Sequence, residues 1–571
     1  MVQRSFQPQS PFPNRSILAS QCFSVSGFQK SQATPPINFS VSEFQLFSFS
    51  AFQSVSVTKR IAFGAAASWF SRGISIVLGL VLMPVLFRHL PKEELGVWLL
   101  LGQSWAAMGI LDLGVGVTLT RRIALAKGKS GSDPNAPLTP ESLSEIADLV
   151  AAGRRIYRWM ALGVFVVSWS LGFFYLRNLE LQGLSHTTVW IAWTILCACQ
   201  ALTVWATVWT CLLQGVGYIG WDALIASFIS AGMLIAQIIA VLCGGGLIAL
   251  AIIAAVAVVF QRAMTRWFAR TRRPELFSQR GTWNPAVLTG MRNLAFQAWL
   301  TTVGGVLVFQ TDQFFIAGFQ GVKEIPAYRG AFVIAVNLFA LAGVFANASS
   351  AFISHLWSAG KIAEVHRVVR RNVRTGLVLT TCGSAVVLAL GPRLFDFWLG
   401  PGNFVGYPIL LLLLGVYLFE QHSWILSIAS RATEDEAFAA CAMMGGAAKL
   451  LLAFLLMPRF GLLGLAASMF LAQLATGHWF TTYRSLKRLQ LRLGEHLTQS
   501  VLPCLIPGVL TAAAVMALVH LLAQSPGWVL VVSSCGVAAI ILVSAAWILV
   551  LEPSQRHRCT QWMTGAAGEH S

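Results

Sequence analysis

The chain has 571 residues, of which 56% are hydrophobic and 11% charged, with a mean hydropathy of +0.69 and a net charge of +18. Soluble domains carry about 25% charged residues, so an ordinary water-soluble protein is excluded and the length must be spent on serial membrane spans. The ten cysteines are scattered through apolar runs with no CxxC or Cys/His spacing, and imply neither a disulfide framework nor a metal site.

Residues 1–58 are rich in Phe, Ser, Gln and Pro, have no helical period, and contain Glu43 as their one acid. Such a low-complexity leader cannot build a core and is expected to be disordered. It lacks the continuous apolar stretch of a secretory signal peptide.

From Lys59 onward, fourteen apolar runs are expected to cross as helices: about 61–86, 95–120, 157–176, 188–212, 222–242, 246–263, 293–318, 328–355, 373–391, 407–430, 437–457, 462–483, 500–522 and 527–551. Each is near the ~20 residues that span a ~30 Å hydrocarbon core. Lys and Arg fall unevenly in alternate loops. One face receives Arg121, Arg122, Arg154, Arg155, Arg262, Arg266, Arg292, Arg370, Arg371, Arg484 and Arg488 among others, whereas the opposite face receives only Arg88, Lys92, Arg177, Lys323, Arg329, Arg393 and Arg459. The positive-inside rule then puts the basic face and both termini in the cytoplasm. The net charge is thus mostly a topology signal, and nucleic acid is not an expected partner.

An internal repeat is visible. Glu94-Leu95-Gly96-Val97-Trp98 answers Glu324-Ile325-Pro326-Ala327-Tyr328, and Gly246 to Ala251 answers Gly461 to Ala466. The expected architecture is an all-α polytopic membrane protein of about 14 transmembrane helices, with two parallel six-helix repeats and two C-terminal helices. The expected units are a leader at 1–58, lobes at 59–275 and 276–490, and an extra helix pair with a cytoplasmic tail at 491–571. Parallel repeats place a site at their interface.

Polar stripes on the first helix of each repeat mark where that site could lie. Gly64, Ser68, Arg72, Ser75 and Gly79 share one face; Asn293, Gln297, Thr301, Gly304 or Gly305, and Asp312 share another. Lipid cannot satisfy such groups, so they face protein or water. Two readings compete: small-residue packing helped by hydroxyls, or facing walls of a hydrated cavity. Arg72 favours the cavity, because it sits near mid-span and too far from either interface to snorkel. Lys449 is a second mid-span cation; Asp112 and Glu420 are the acids, and structural ion pairs among these charges are the rival account. Arg121, Arg122, Arg262, Arg266 and Arg292 ring the cytoplasmic mouth. There is no P-loop and no catalytic constellation, so no cofactor and no enzymatic activity are expected.

The segment with Pro84, Arg88-His89-Leu90-Pro91, Gly96 and Leu111-Asp112-Leu113-Gly114-Val115-Gly116 before Arg121 resembles the opening of lipid-linked oligosaccharide flippases. These form the polysaccharide-transporter branch of the multidrug/oligosaccharidyl-lipid/polysaccharide exporter superfamily. Asp312-Gln-Phe-Phe-Ile-Ala-Gly318 with Glu324 and Tyr328, and Gly461 to Ala467, resemble later segments of that family. The resemblance covers roughly 59–490, with Pro91 standing where relatives often carry Gly and a longer loop between spans two and three. It implies a V of two lobes around a central cavity, alternating access, and an undecaprenyl-diphosphate-linked glycan as cargo for O-antigen, capsule or exopolysaccharide assembly in the inner membrane. The implied partners are that cargo, membrane lipids, and glycan polymerase and chain-length proteins. In this frame Arg72, Lys449, Arg121, Arg122, Arg292, Gln297, Thr301 and Asp312 are substrate-binding candidates, and Asp112 and Glu420 are coupling-ion candidates. A cation-coupled multidrug exporter and a non-transporting membrane scaffold are the alternatives.

Overall fold

A computed structural model describes residues 57–109, 114–130, 135, 137–279, 281–282, 292–358, 360–433, 435, 437–551, 556 and 560, with side chains from Gly73 onward and, inside the helices, not those of 117, 292–295, 297, 298, 348, 351, 352, 355 and 358. The leader lies outside these residues. All regular structure among the described residues is helical.

Among the described residues, ten helices are long and apolar enough to cross a membrane, and one of them, over 439–488, folds back at Gly461 and contains two crossings. The remaining crossings are α1 (Val57–His89) and two interrupted spans, which together make fourteen. Span two is α2 (Lys92–Ala107) and α3 (Val115–Gly128), and span seven is α8 (Arg292–Phe309) and α9 (Asp312–Phe319). Reading each as one continuous helix was therefore too simple. The first break ends at Gly114, whose φ of 69° is a left-handed conformation that glycine adopts without strain. The second falls at Gln310 and Thr311. Interrupted backbone at membrane depth survives only where protein or a cavity satisfies it.

The uninterrupted crossings are α4 (Pro140–Arg177), α5 (His186–Val216), α6 (Ile219–Leu242), α7 (Leu247–Arg272), α10 (Ile325–Ser358), α11 (Ile362–Leu390) and α13 (Tyr407–Arg431), with short α12 (Pro392–Leu399) between the last two. Next come α14 (Ala439–Ala472) and α15 (Trp479–Arg488), then α16 (Leu505–Leu521) and α17 (Gly527–Ala545). Helix α4 begins well before its apolar run, where Thr139 accepts the Ser142 N–H at 3.3 Å and Pro140 occupies the first turn. Spans eleven and twelve both lie in α14, folded at Gly461, where φ is +57° just after Pro458. Long apolar side chains such as Phe174, Val509 and Ile540 stay exposed on the outer surface, as they do where lipid is the solvent.

The arrangement of the cores defines the two lobes. At the face with few basic residues, one apolar core joins both halves: Leu86, Leu95, Leu100 and Leu250 pack with Ile316, Ile325, Tyr328 and Leu413. At the basic face the cores are separate. One is built from α3, α4, α5 and α7 around Tyr157 and Trp209; the other from α10, α11, α13 and the helix pair α16–α17, around Val369, Leu426, Cys504 and Ala545. The lobes thus share one apolar core at one face and keep separate cores at the other, as a V of two lobes requires. The C-terminal pair packs against α11 of the second lobe.

Candidate functional site

The joint between the lobes is built from the two repeat motifs. Adjacent Glu93 and Glu94 open α2 and both accept backbone N–H groups: Glu93 from Gln182 at 2.6 Å and Gly183 at 2.9 Å, Glu94 from Leu247 at 2.6 Å. These bonds hold α2 against the N-terminus of α7 and the loop before α5, in the sense favoured by the helix dipole. One turn later Gly96 lies so close to the other lobe that a Cβ there would sit 1.9 Å from the Val322 carbonyl oxygen. Around it, Trp398 donates to Leu80 O at 2.9 Å, Tyr175 to Phe314 O at 2.8 Å, and Lys323 to Gln182 Oε1 at 2.6 Å.

Beneath this seal lies a polar network that crosses the lobes. Arg329 Nη1 donates to Gln103 Oε1 at 3.1 Å, and the Arg329 guanidinium stacks 4.9 Å from the Phe332 ring centroid. Nearby, Asp312 accepts from the Tyr328 hydroxyl at 2.6 Å and pairs with Lys449 at 2.7 Å. Lys449 also donates to Thr311 and lies 5.0 Å over the Phe315 ring. The Lys449 side chain is 0% exposed and that of Asp312 5%. Buried charge is tolerated when paired and hydrogen-bonded, as Lys449 and Asp312 are, whereas the buried Arg329 Nε has no acceptor. Lys449 and Asp312, both substrate-binding candidates, thus pair with each other at the restart of the broken span seven. Tyr328, Arg329 and Gln103 were missed as network members. The available signal was Gln103, a lone amide inside an apolar run.

Thr301 and Glu420 do meet, in a cavity of about 330 Å³ inside the second lobe, between α8, α10, α13, α14 and α15. Gly305, Tyr417, Trp424 and Arg431 complete its walls. Glu420 Oε2 accepts from Gln473 Nε2 at 2.9 Å, next to a π-helical turn over Gln473–His478. On the polar stripe of span seven, Gly304 and Gly305 separate. A Cβ on Gly304 would meet Ala442 C at 2.4 Å, so Gly304 serves close packing of α8 on α14, whereas a Cβ on Gly305 would meet nothing within 4 Å. Both glycines nonetheless border the cavity.

The other candidates are not gathered there. Arg121 is exposed at the basic-face end of α3, and Arg122 borders a surface groove with Glu141, Glu145 and Asp148. Arg72 lies in α1, and Arg292 and Gln297 in α8, but their side chains are outside the described ones, and Asp112 lies outside the described residues altogether. On α1 itself, Gly73 and Gly79 have nothing within 4 Å of where a Cβ would stand.

No family model matches the chain, and no curated protein matches it. Solved structures share its fold. A structure titled "Lipid II flippase MurJ, inward closed conformation" has a TM-score of 0.63 at 11% identity, covering 85% of this chain and 98% of that one. An inward-facing multidrug resistance MATE family transporter of the MOP superfamily has a TM-score of 0.58 at 11% identity, covering 75% and 99%. A MOP superfamily transporter from Pyrococcus furiosus Vc1, described as having a binding pocket of reversed polarity, has a TM-score of 0.52 at 12% identity, covering 76% and 97%. The chain shares the fold of these solved structures over three quarters or more of its length.

Proposed function

We propose that this protein is a flippase that carries a polyprenyl-diphosphate-linked oligosaccharide across the cytoplasmic membrane by alternating access, for O-antigen, capsule or exopolysaccharide assembly. The observation that carries the reading is a fourteen-span architecture whose lobes share an apolar core at one face and keep separate cores at the arginine-rich face. An opening there offers a diphosphate headgroup an electropositive entrance from the leaflet where it is made. The flippase-titled structure also covers a larger share of this chain than the multidrug resistance MATE transporter or the Pyrococcus furiosus MOP transporter does.

In this reading the basic face is cytoplasmic, as are both termini, and the lobes are 59–275 and 276–490. Arg121, Arg122 and Arg292 attract the diphosphate and Arg72 holds it, while Gln297 and Thr301 solvate sugar hydroxyls. Glu420 favours a second reading, a cation-coupled exporter, because its carboxylate faces a cavity beside hydroxyls and an amide. Asp112 is the other coupling candidate. Glycan polymerase and chain-length proteins are the partners that the first reading implies.

Arg72 provides the test. In a flippase-deficient host, Arg72→Ala should abolish surface glycan with membrane abundance unchanged, while Arg72→Lys, which keeps the charge but loses the bidentate fork, should retain part of it. Depletion of Arg72→Ala from the membrane, with recovery in Arg72→Ala/Asp112→Asn or Arg72→Ala/Glu420→Gln, would make Arg72 a structural residue instead. Orientation is checked separately. In a background without native cysteines, Lys92→Cys and Glu180→Cys should react with an impermeant maleimide from outside the cell, and Gly128→Cys and Ser278→Cys should not. The reverse pattern would overturn the topology.

A further inference from the structure

A second cavity, of about 380 Å³, lies wholly within the first lobe between α2, α5, α6 and α7. Its polar wall is Trp105, Gln200, Thr203, Ser230, Gln261 and Arg262. Trp105 donates its indole N–H to Gln200 Oε1 at 2.6 Å, which fixes the plane of the ring. Arg262 Nη1 donates to Thr210 Oγ1 at 3.1 Å, but its Nε–H has no acceptor, and the buried Thr203 hydroxyl has no partner either. Two unsatisfied polar groups converging on one cavity are what a ligand site looks like when empty of its ligand's oxygens. Gly102 and Gly109 border the same space, and a Cβ on either would meet nothing within 4 Å, so the backbone leaves room for an occupant.

The charge of the pocket narrows the class of ligand. Asp222, held by Gln214 at 2.9 Å, lies within electrostatic reach of the Arg262 guanidinium and offsets part of its charge. The site is therefore donor-rich without being a net cation. A flat aromatic ring, planar amides, hydroxyls and a fixed guanidinium suit a neutral polyhydroxylated ring better than a multiply charged phosphate. We propose that this pocket binds one neutral saccharide unit, with Arg262 Nε and the Thr203 hydroxyl bonding its hydroxyl oxygens and Trp105 fitting a ring face. The inference rests on the flippase reading and deepens it. The cargo's diphosphate and its sugar would then be held in different places, the sugar inside a lobe.

The test uses the full chain in lipid nanodiscs and saturation-transfer NMR with free hexoses, N-acetylhexosamines, glucuronate and pyrophosphate as probes. At least one neutral saccharide should give transfer, and Arg262→Gln and Thr203→Val should each weaken it, the former by about tenfold as expected for a lost hydrogen bond to a charged donor. Thr203→Val is nearly isosteric and guards against a variant that merely misfolds. Transfer only to glucuronate or pyrophosphate, saccharide transfer indifferent to both substitutions, or no saccharide transfer to the folded wild type would each overturn the proposal. Glycan complementation keeps the two readings apart. Restoration of surface glycan without saccharide binding sinks the pocket alone, whereas variant-sensitive binding without restoration sinks the flippase reading and leaves the pocket standing.

Discussion

Lys449→Met should strip the protein from the membrane. Removal of the ammonium leaves the Asp312 carboxylate buried with the Tyr328 hydroxyl and no cation, and breaking a buried pair from one side costs about 3–5 kcal/mol. That is a large part of the 5–15 kcal/mol by which folded proteins are typically stable. Lys449→Met/Asp312→Asn removes both charges, and the new amide oxygen still accepts from Tyr328. Membrane abundance and thermal stability of the double variant should therefore return most of the way to wild type. The measurement is abundance by immunoblot beside melting of the detergent-solubilised protein. A single variant that is abundant and stable but transports nothing, with no rescue in the double, would return Lys449 to the cargo site.

Gly96→Ala should prise the lobes apart at their shared face. The new methyl group would be driven into the Val322 carbonyl at 1.9 Å, and the obstacle is backbone, which cannot rotate aside. Overpacking of this kind costs about 1–3 kcal/mol in a close-packed core. Only the state in which the lobes touch there pays it, so the population should shift toward states open at that face. Ile325→Cys, placed in the shared core, should become reactive to an impermeant maleimide in the Gly96→Ala background. Unchanged protection of Ile325→Cys would mean that the close approach of Gly96 and Val322 does not gate this face.

Much of the fold was legible because membrane insertion leaves a coarse signal. Apolar length and the Lys/Arg imbalance mark crossings at a scale of twenty residues, and the paired motifs at Glu94 and Glu324 marked the repeat. The breaks in spans two and seven were not legible, because hydropathy averages over a window longer than Gln310-Thr311 or the left-handed Gly114. The candidate site was legible only as a list of polar residues inside apolar runs. Which of them pair is a question of three-dimensional distance, and no periodicity shows that Lys449, from span eleven, reaches Asp312 in span seven. Gly304 and Gly305 make the same point at the smallest scale. Both border the cavity, yet only Gly304 is also pressed against α14, and a stripe drawn by eye does not resolve that.

The fold at Gly461 has a mechanical consequence. Spans eleven and twelve are joined there with no intervening loop, so a tilt of one must drag the other, as two arms of a bent lever. Slack in that half of the second lobe is then displaced further along the chain. The first irregular winding after the bend is the π-helical turn at Gln473–His478, where i→i+5 bonding loosens the coil. Gln473, which grips Glu420, is the first residue of that turn. Leverage applied at the sealed face would thus be felt at the one carboxylate that lines the second lobe's cavity.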